Sequence, residues 1–174
     1  MIVIDMLNPY DHEDGEQLAA SAEKIVEPLS DLVARAREHD DVHLFYVNDN
    51  YGDFSASRRE LVERALDGRR RDLVEPIVPP PDCTFLTKVR HSVFYGTPLE
   101  YVLGRQPVEQ LILTGQVTEQ CVLYSALDAY LRHFAIKVPQ DCVAHIDREL
   151  GEAALRMMER NMRAEIVTAK DCLG

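Results

Sequence analysis

Long apolar runs are missing from this sequence, although 46% of its 174 residues are hydrophobic. A helix that spans a bilayer needs about 20 consecutive, mostly apolar residues, so the sequence predicts no membrane partner. The first residues also lack a basic segment and turn polar and acidic after a few apolar positions. This is not the pattern of a secretory signal peptide, and we expect a cytoplasmic protein.

Basic residues are scarce. Nineteen Lys and Arg stand against thirty Asp and Glu, which gives a net charge of -11 with His neutral. Such a surface repels the phosphates of nucleic acids, so no nucleic-acid partner is expected. The one basic cluster, residues 69–71, lies where a solvated turn is the ordinary interpretation.

Cysteine is also scarce, and the spacing of the cysteines does not indicate a metal site. The four cysteines form no C-x-x-C pair and no Cys/His spacing typical of zinc sites. Thiols stay reduced in the cytoplasm, so we expect no disulfide framework. Each cysteine therefore either packs in the core or takes part in chemistry: Cys83, Cys121, Cys142 and Cys172.

Predicted strands and helices alternate along the chain. Short runs of β-branched and large apolar residues predict buried strands over 2–6, 42–48, 85–88, 111–113, 136–139 and 165–168. Helical periodicity predicts helices over 17–39, 57–66, 99–103, 119–134 and 148–163. Because every parallel connection crosses a sheet face, this order predicts an α/β fold, a three-layer α/β/α sandwich with a mostly parallel sheet of about six strands. We expect one domain over residues 1–174.

Three residues with reactive side chains stand at or just beyond predicted strand ends. Asp5 ends the first strand, Lys88 ends the third, and Cys121 lies a short turn beyond the fourth. Active sites of open parallel sheets form at the carboxyl ends of the strands. Taken singly, each has a structural alternative, because the aspartate can cap a turn, the lysine can reach solvent and the cysteine can be buried and inert.

The three residues together suit nucleophilic catalysis. A thiol nucleophile needs a base, a cation near the thiolate and amide donors for an oxyanion. The turn from Gly115 to Cys121 leads from strand to helix, with Thr118 placed to cap the helix. A cysteine in the first turn of a helix has its pKa lowered by the helix dipole. We therefore expect an activated thiol at Cys121.

At these positions the sequence resembles the isochorismatase-like cysteine hydrolases. That family includes nicotinamidases, N-carbamoylsarcosine amidases, ureidoacrylate and biuret hydrolases, and isochorismatases. The resemblance covers essentially the whole chain, and its three marks are VIDMLN around Asp5, LTKVRHSVFYGTPL around Lys88 and LTGQVTEQCVLYSALDA around Cys121. The third mark is the most specific.

The resemblance implies a role for each of these residues. Asp5 would be the general base, Lys88 would orient the pair and stabilise charge, and Cys121 would attack a carbonyl carbon to give a thioester. The backbone N–H groups of Val117 and Cys121 would form the oxyanion hole. The bond between Gln116 and Val117 would be a cis peptide.

The segment after the second strand departs from the metal-binding members. Nicotinamidases bind a metal there through an aspartate and histidines, whereas this chain has Asp49 and Asp53 with no histidine between residues 47 and 53. We therefore expect neither a metal nor another cofactor. Asn48 and Tyr51 are interpreted as hydrogen-bonding residues on the rim of a substrate pocket.

Further pocket candidates follow the lysine and precede the cysteine. They are Arg90, His91, Phe94, Tyr95, Glu119 and Gln120. Packing is an equally good interpretation of the two aromatic residues. Arg90 either holds a substrate carboxylate or carbamoyl oxygen or forms a surface salt bridge.

The sequence thus predicts a hydrolase that cleaves a C–N bond of a small amide, ureide or carbamoyl substrate. One alternative is vinyl-ether cleavage of the isochorismatase type, by proton transfer from Asp5. Another is a binding or assembly protein that keeps the fold without turnover. The resemblance also implies a homo-oligomer, a dimer or higher.

Overall fold

A parallel β-sheet forms the centre of the molecule in the computed structural model, which describes residues 1–173. Its strands are β1 (Ile2–Ile4), β2 (Phe45–Asp49), β3 (Thr84–Lys88), β4 (Gln110–Gln116), β5 (Ala135–Pro139), β6 (Val143–Ala144) and β7 (Glu165–Val167). The order is β3-β2-β1-β4-β5-β7, and β6 pairs with the end of β4. The predicted α/β fold and parallel sheet are confirmed, and the strand missing from the sequence prediction is the two-residue β6.

Seven α-helices flank the sheet in the described residues. They are α1 (Gly15–Ala22), α2 (Val26–Arg37), α3 (Arg58–Leu66), α4 (Arg71–Val74), α5 (Leu99–Leu103), α6 (Leu123–Leu131) and α7 (Arg148–Met162). Ser57 and Glu60 close a capping box at the start of α3. The start of α7 is capped by Asp147, whose side chain accepts a hydrogen bond from the N–H of Leu150.

Two hydrophobic cores lie on opposite faces of the sheet. One joins β1 and β2 to α1, α2, α3 and α4, and the other joins the sheet to α5, α6 and α7. Side chains of β1 alternate between them, with Val3 in the first core and Ile2 and Ile4 in the second. Both faces of β1 are therefore buried, and the three layers predicted from the sequence are present.

The predicted helix over 17–39 is two helices. The chain leaves α1 at Ala22 and re-enters a helix at Val26. Proline disfavours a helix interior, but Pro28 lies in the first turn of α2, where its missing N–H removes no intrahelical hydrogen bond. The break therefore precedes the proline.

In the part of the chain that the structure describes, none of the helices has the length and apolar character that a bilayer crossing requires.

Candidate active site

The carboxyl ends of β1, β3 and β4 bring the three predicted catalytic residues together. β1 lies between β2 and β4, and β2 pairs with β3. In this register Ile4 pairs with Val47 on one side and Gly115 on the other, and Asp49 pairs with Lys88. The residues at and just beyond these pairs therefore meet at one edge of the sheet.

Lys88 is the centre of the cluster. Its Nζ lies 2.7 Å from Oδ2 of Asp5 and 3.6 Å from Sγ of Cys121. A third neighbour is Oδ2 of Asp49, at 3.6 Å. The exposed fraction is 1% for Lys88 and 7% each for Asp5 and Cys121. The ammonium thus faces a carboxylate and a thiol in a site almost closed to water.

Backbone and side-chain amides fix Asp5 in place. Its φ of 53° lies in the left-handed region, which turns the chain sharply after β1. Its N–H donates to the Val47 carbonyl at 3.1 Å. Its carboxylate accepts from the N–H of Asp49 at 2.7 Å, and its carbonyl accepts from Nε2 of Gln116 at 2.8 Å. Asp5 therefore has little freedom to leave the cluster.

The turn that leads to Cys121 contains the cis peptide that the resemblance implies. The peptide bond between Gln116 and Val117 is cis. One turn of π-helix, Thr118–Val122, follows and leads into α6, so the predicted helix over 119–134 is π-helical in its first turn. Val117 immediately precedes this turn and Cys121 lies within it. The two N–H groups that the resemblance assigns to an oxyanion hole therefore belong to the same turn.

Gly115 sets the approach of β4 to β1. Its φ is +101°, in the region that favours glycine. A Cβ at this position would collide with the carbonyl oxygen of Ile4. The backbones that carry Gln116 and Asp5 therefore pass each other at a distance that a side chain would prevent.

Burial governs the protonation of the cluster. It raises the pKa of Asp5, against the opposing effect of the Lys88 ammonium. The pKa of Lys88 is raised, because Asp5 and the thiol favour its charged form more than burial disfavours it. Burial, followed by the negative charge of Asp5, raises the pKa of Cys121 to about 12. The expected lowering of the thiol pKa is not found, because burial and the charge of Asp5 outweigh the opposing effect of the Lys88 ammonium.

A cavity of about 530 Å³ opens onto Asp5 and Cys121. Three predicted pocket residues lie on its wall, namely Tyr51, His91 and Gln120. Nδ1 of His91 lies 3.7 Å from Sγ of Cys121, and its ring packs against Tyr124. The hydroxyl of Tyr51 donates to the Leu7 carbonyl at 2.8 Å.

The other five pocket candidates lie away from the cavity wall, which corrects their interpretation. Asn48 is buried and exchanges hydrogen bonds with the backbone of Leu7. Glu119 accepts from two backbone N–H groups, those of Ile146 and Asp147. Both side chains therefore hold loops together behind the cavity.

Phe94, Arg90 and Tyr95 also lie off the wall. Phe94 packs in the core beside α6, where it stacks on Phe134 and lies under the guanidinium of Arg132. Arg90 and Tyr95 are exposed on the surface. Phe94 is therefore a packing residue, which is the other interpretation of its place in the sequence. Arg90 is not placed to hold a substrate in the cavity.

The loop from β1 to α1 supplies wall residues that sequence reasoning missed. They are Asn8, Pro9, Asp11, His12 and Asp14. The side chain of Asn8 accepts from the N–H of Tyr10, which has a φ of 53°. The Asn-Pro pair is a turn signal in the sequence, but nothing in it specifies which way the loop faces.

The residues after β2 do not fit a metal site. Asp49 accepts from the N–H of Tyr51 and faces Lys88, and Asp53 pairs with Arg64 at 3.2 Å. Among residues 1–173 no three His, Cys, Asp or Glu side chains are grouped as metal ligands. Each of the two carboxylates that a metal would need here already lies beside a cation, Asp49 beside Lys88 and Asp53 beside Arg64.

Known proteins resemble this chain over its whole length. The family model described as "Isochorismatase domain" matches residues 1–171. The chain belongs to the isochorismatase family. The isochorismatase family protein YaaI of Bacillus subtilis is 36% identical to it over 173 residues, which cover 99% of this chain and 95% of YaaI.

Two further relatives of this isochorismatase-family hydrolase have names that specify a reaction. The ureidoacrylate amidohydrolase RutB of Methylorubrum extorquens is 27% identical over 186 residues, covering 91% of this chain and 75% of RutB. The N-carbamoylsarcosine amidase of Thermoplasma acidophilum is a solved structure with 25% identity and a TM-score of 0.76, covering 99% of this chain and 97% of that one.

Proposed function

We propose that this protein hydrolyses a C–N bond of a small amide, ureide or carbamoyl compound through a thioester on Cys121. The observation that carries the proposal is the buried cluster in which Lys88 contacts both Asp5 and Cys121. A base, a cation and a thiol meet there, where a cavity opens. The relatives named as an amidohydrolase and an amidase support the amide class.

The first half of the reaction acylates the thiol. Sγ of Cys121 attacks the substrate carbonyl carbon while Asp5 accepts the thiol proton. The oxyanion that forms lies against the N–H groups of Val117 and Cys121. Asp5 then passes its proton to the substrate nitrogen, the C–N bond breaks and ammonia or an amine leaves.

The second half releases the acid. Water attacks the thioester carbon, and Asp5 accepts a proton from that water. The bond between sulfur and carbon breaks, and the sulfur regains a proton. Lys88 stays protonated throughout and stabilises the negative charge that moves between Asp5 and the sulfur.

The raised pKa values of Cys121 and Asp5 suit this order of reaction steps. A thiol with a pKa of about 12 is neutral at physiological pH, so attack requires a base within reach. Burial raises the pKa of Asp5, which makes this carboxylate a stronger base than an exposed one. The thiolate is therefore formed as the substrate reacts and is not stored in the free enzyme.

Ammonia release from a panel of small amides and ureides tests the proposal. The wild-type protein should release ammonia, and a Cys121→Ala variant should not. Acylation should also appear as a mass increase on the peptide that contains Cys121 when a substrate reaction is quenched in acid. Hydrolysis that persists in folded Cys121→Ala would overturn the nucleophile assignment.

Vinyl-ether cleavage is a second candidate, favoured by the raised pKa of Asp5. A protonated Asp5 can donate its proton to the vinyl carbon, and water then adds to the cation that results and returns a proton to Asp5. The hemiketal so formed breaks its C–O bond to give a carbonyl compound and an alcohol. This reaction does not need the thiol. A Cys121→Ala variant that cleaves a vinyl ether at the wild-type rate would support it.

A further inference from the structure

The charged side chains on the cavity wall are mostly acidic. Four aspartates and one arginine line it, together with two histidines: Asp5, Asp11, Asp14, Asp49, Arg64, His12 and His91. Asp11 and Asp14 are exposed at the mouth. Over the part of the chain that is described, neither forms an ion pair.

The cations near the cavity are already engaged. Arg64 pairs with Asp53 at 3.2 Å, and Lys88 lies between Asp5 and Asp49. Carboxylate ligands are usually held by the paired donors of a free arginine. Since Arg90 lies outside the cavity, a carboxylate substrate meets the unpaired carboxylates of Asp11 and Asp14 on the described wall, and no guanidinium or ammonium without an anionic partner.

Uncharged groups complete the wall. Within residues 1–173 the side-chain amide of Gln120 has no hydrogen-bond partner, so its donors and acceptor are open to a ligand. Apolar surface comes from Pro9, Leu18, Val117 and Ile146. A free amide beside an apolar wall matches a neutral amide or ureide.

We propose that the cavity selects small amides or ureides that carry no negative charge, and that Asp11 and Asp14 exclude carboxylates. This selectivity rests on the proposed function, since it concerns the same site. A unit charge about 8 to 10 Å away at a protein surface changes the local concentration of a monovalent ion by about threefold. Two such carboxylates should disfavour an anion by about tenfold at low salt.

Alkylation of Cys121 measures this selectivity without a known substrate. Iodoacetamide is neutral and iodoacetate is an anion of nearly the same size, and each transfers a two-carbon group to sulfur as iodide leaves. The two rates at Cys121 are followed by peptide mass mapping at about pH 8, above the pKa of a histidine in a model peptide. Their ratio is compared with the ratio for a small thiol in free solution.

We expect iodoacetate to be disfavoured at Cys121 by about tenfold relative to the free thiol, with the effect shrinking in high salt. Asp11→Asn/Asp14→Asn should remove most of it, and both substitutions should leave the fold intact, because both side chains are exposed and Asp14 makes no side-chain cap to α1. The matched control is Asp31→Asn/Asp40→Asn, two exposed aspartates away from this cavity. A wild-type ratio equal to that of the free thiol would overturn the proposal.

A matched substrate series separates this proposal from the proposed function. Butyramide, β-alaninamide and succinamate have similar length and carry no charge, a positive charge and a negative charge. Hydrolysis of the first two with a kcat/KM for succinamate at least about tenfold lower supports both proposals. Preferred hydrolysis of succinamate overturns the selectivity alone. Failure to hydrolyse any amide, with the alkylation ratio still shifted, overturns the proposed function and leaves the acidic mouth established.

Discussion

The hydroxyl of Ser125 donates a hydrogen bond to the carbonyl oxygen of Cys121 at 2.5 Å. The same hydroxyl accepts from the N–H of Val93 at 3.0 Å, and Ser125 is fully buried. This side chain therefore ties the nucleophile turn to the segment that follows Lys88. It is a positioning residue, because it contacts no group that reacts.

Ser125→Ala should weaken both the fold and the site. It leaves the buried N–H of Val93 without a partner, which costs about 1 to 3 kcal/mol in the free energy of unfolding. We also expect kcat to fall by about tenfold with little change in KM, because the thiol is displaced while the cavity wall is intact. Ser30→Ala is the control, since the Ser30 hydroxyl donates to the Pro76 carbonyl at an exposed position. Wild-type kcat in folded Ser125→Ala would contradict the positioning role.

Asp5→Asn should move turnover and thiol reactivity in opposite directions. Asparagine cannot accept the thiol proton, so hydrolysis should fall by at least about a hundredfold. The charge of Asp5 also raises the pKa of Cys121, so its removal should lower that pKa and speed alkylation by iodoacetamide at neutral pH. Asp31→Asn serves as the control. An equal fall in hydrolysis and in the rate of Cys121 alkylation would mean that Asp5 acts only on the fold.

Lys88→Met should strongly destabilise the protein. It leaves the Asp5 carboxylate buried without its 2.7 Å partner, and removal of one member of a buried ion pair costs about 3 to 5 kcal/mol. Lys137→Met is the control, because Lys137 pairs with a largely exposed Glu165 at 3.5 Å and donates to the Cys172 carbonyl at 3.3 Å, so its loss leaves no buried carboxylate. That change should cost about 1 to 2 kcal/mol. Similar losses in urea unfolding would argue against a special role for the buried pair.

Stability should fall at alkaline pH because of Cys121. Its pKa is about 12 in the folded protein and about 8.5 in an unfolded chain. Between these values the folded state binds more protons, so the free energy of unfolding decreases as pH rises. Cys121→Ala should reduce this slope by up to about 1.4 kcal/mol per pH unit. Urea titrations from about pH 8 to 10 measure it, and identical slopes would contradict the raised pKa.

The residues at the strand ends can be predicted from the sequence, because a parallel sheet allows few arrangements of its strands. Asp5, Lys88 and Cys121 follow apolar runs, and parallel strands bring the ends of such runs to one edge. The thiol pKa cannot be predicted in the same way. It depends on how deeply the thiol is buried and on the charge of Asp5 beside it, which together outweigh the opposite effect of Lys88.

Loops are the main source of error. Phe94 and Tyr95 are neighbours in the sequence, yet one is buried and the other exposed. The loop over residues 8–14 lines the cavity, and within it the Asn8 side chain accepts a hydrogen bond from the N–H of Tyr10. Such a local contact leaves no periodic pattern in the sequence. The predicted homo-oligomer stays a prediction, which sedimentation measurements test.

Gly115 affects the chemistry of the site although it has no side chain. It stands one position before Gln116 and opposite Ile4, which precedes Asp5. Any larger residue would push apart the strand that carries the base and the strand that leads to the nucleophile. An active enzyme therefore requires glycine at position 115, although no substrate touches this residue.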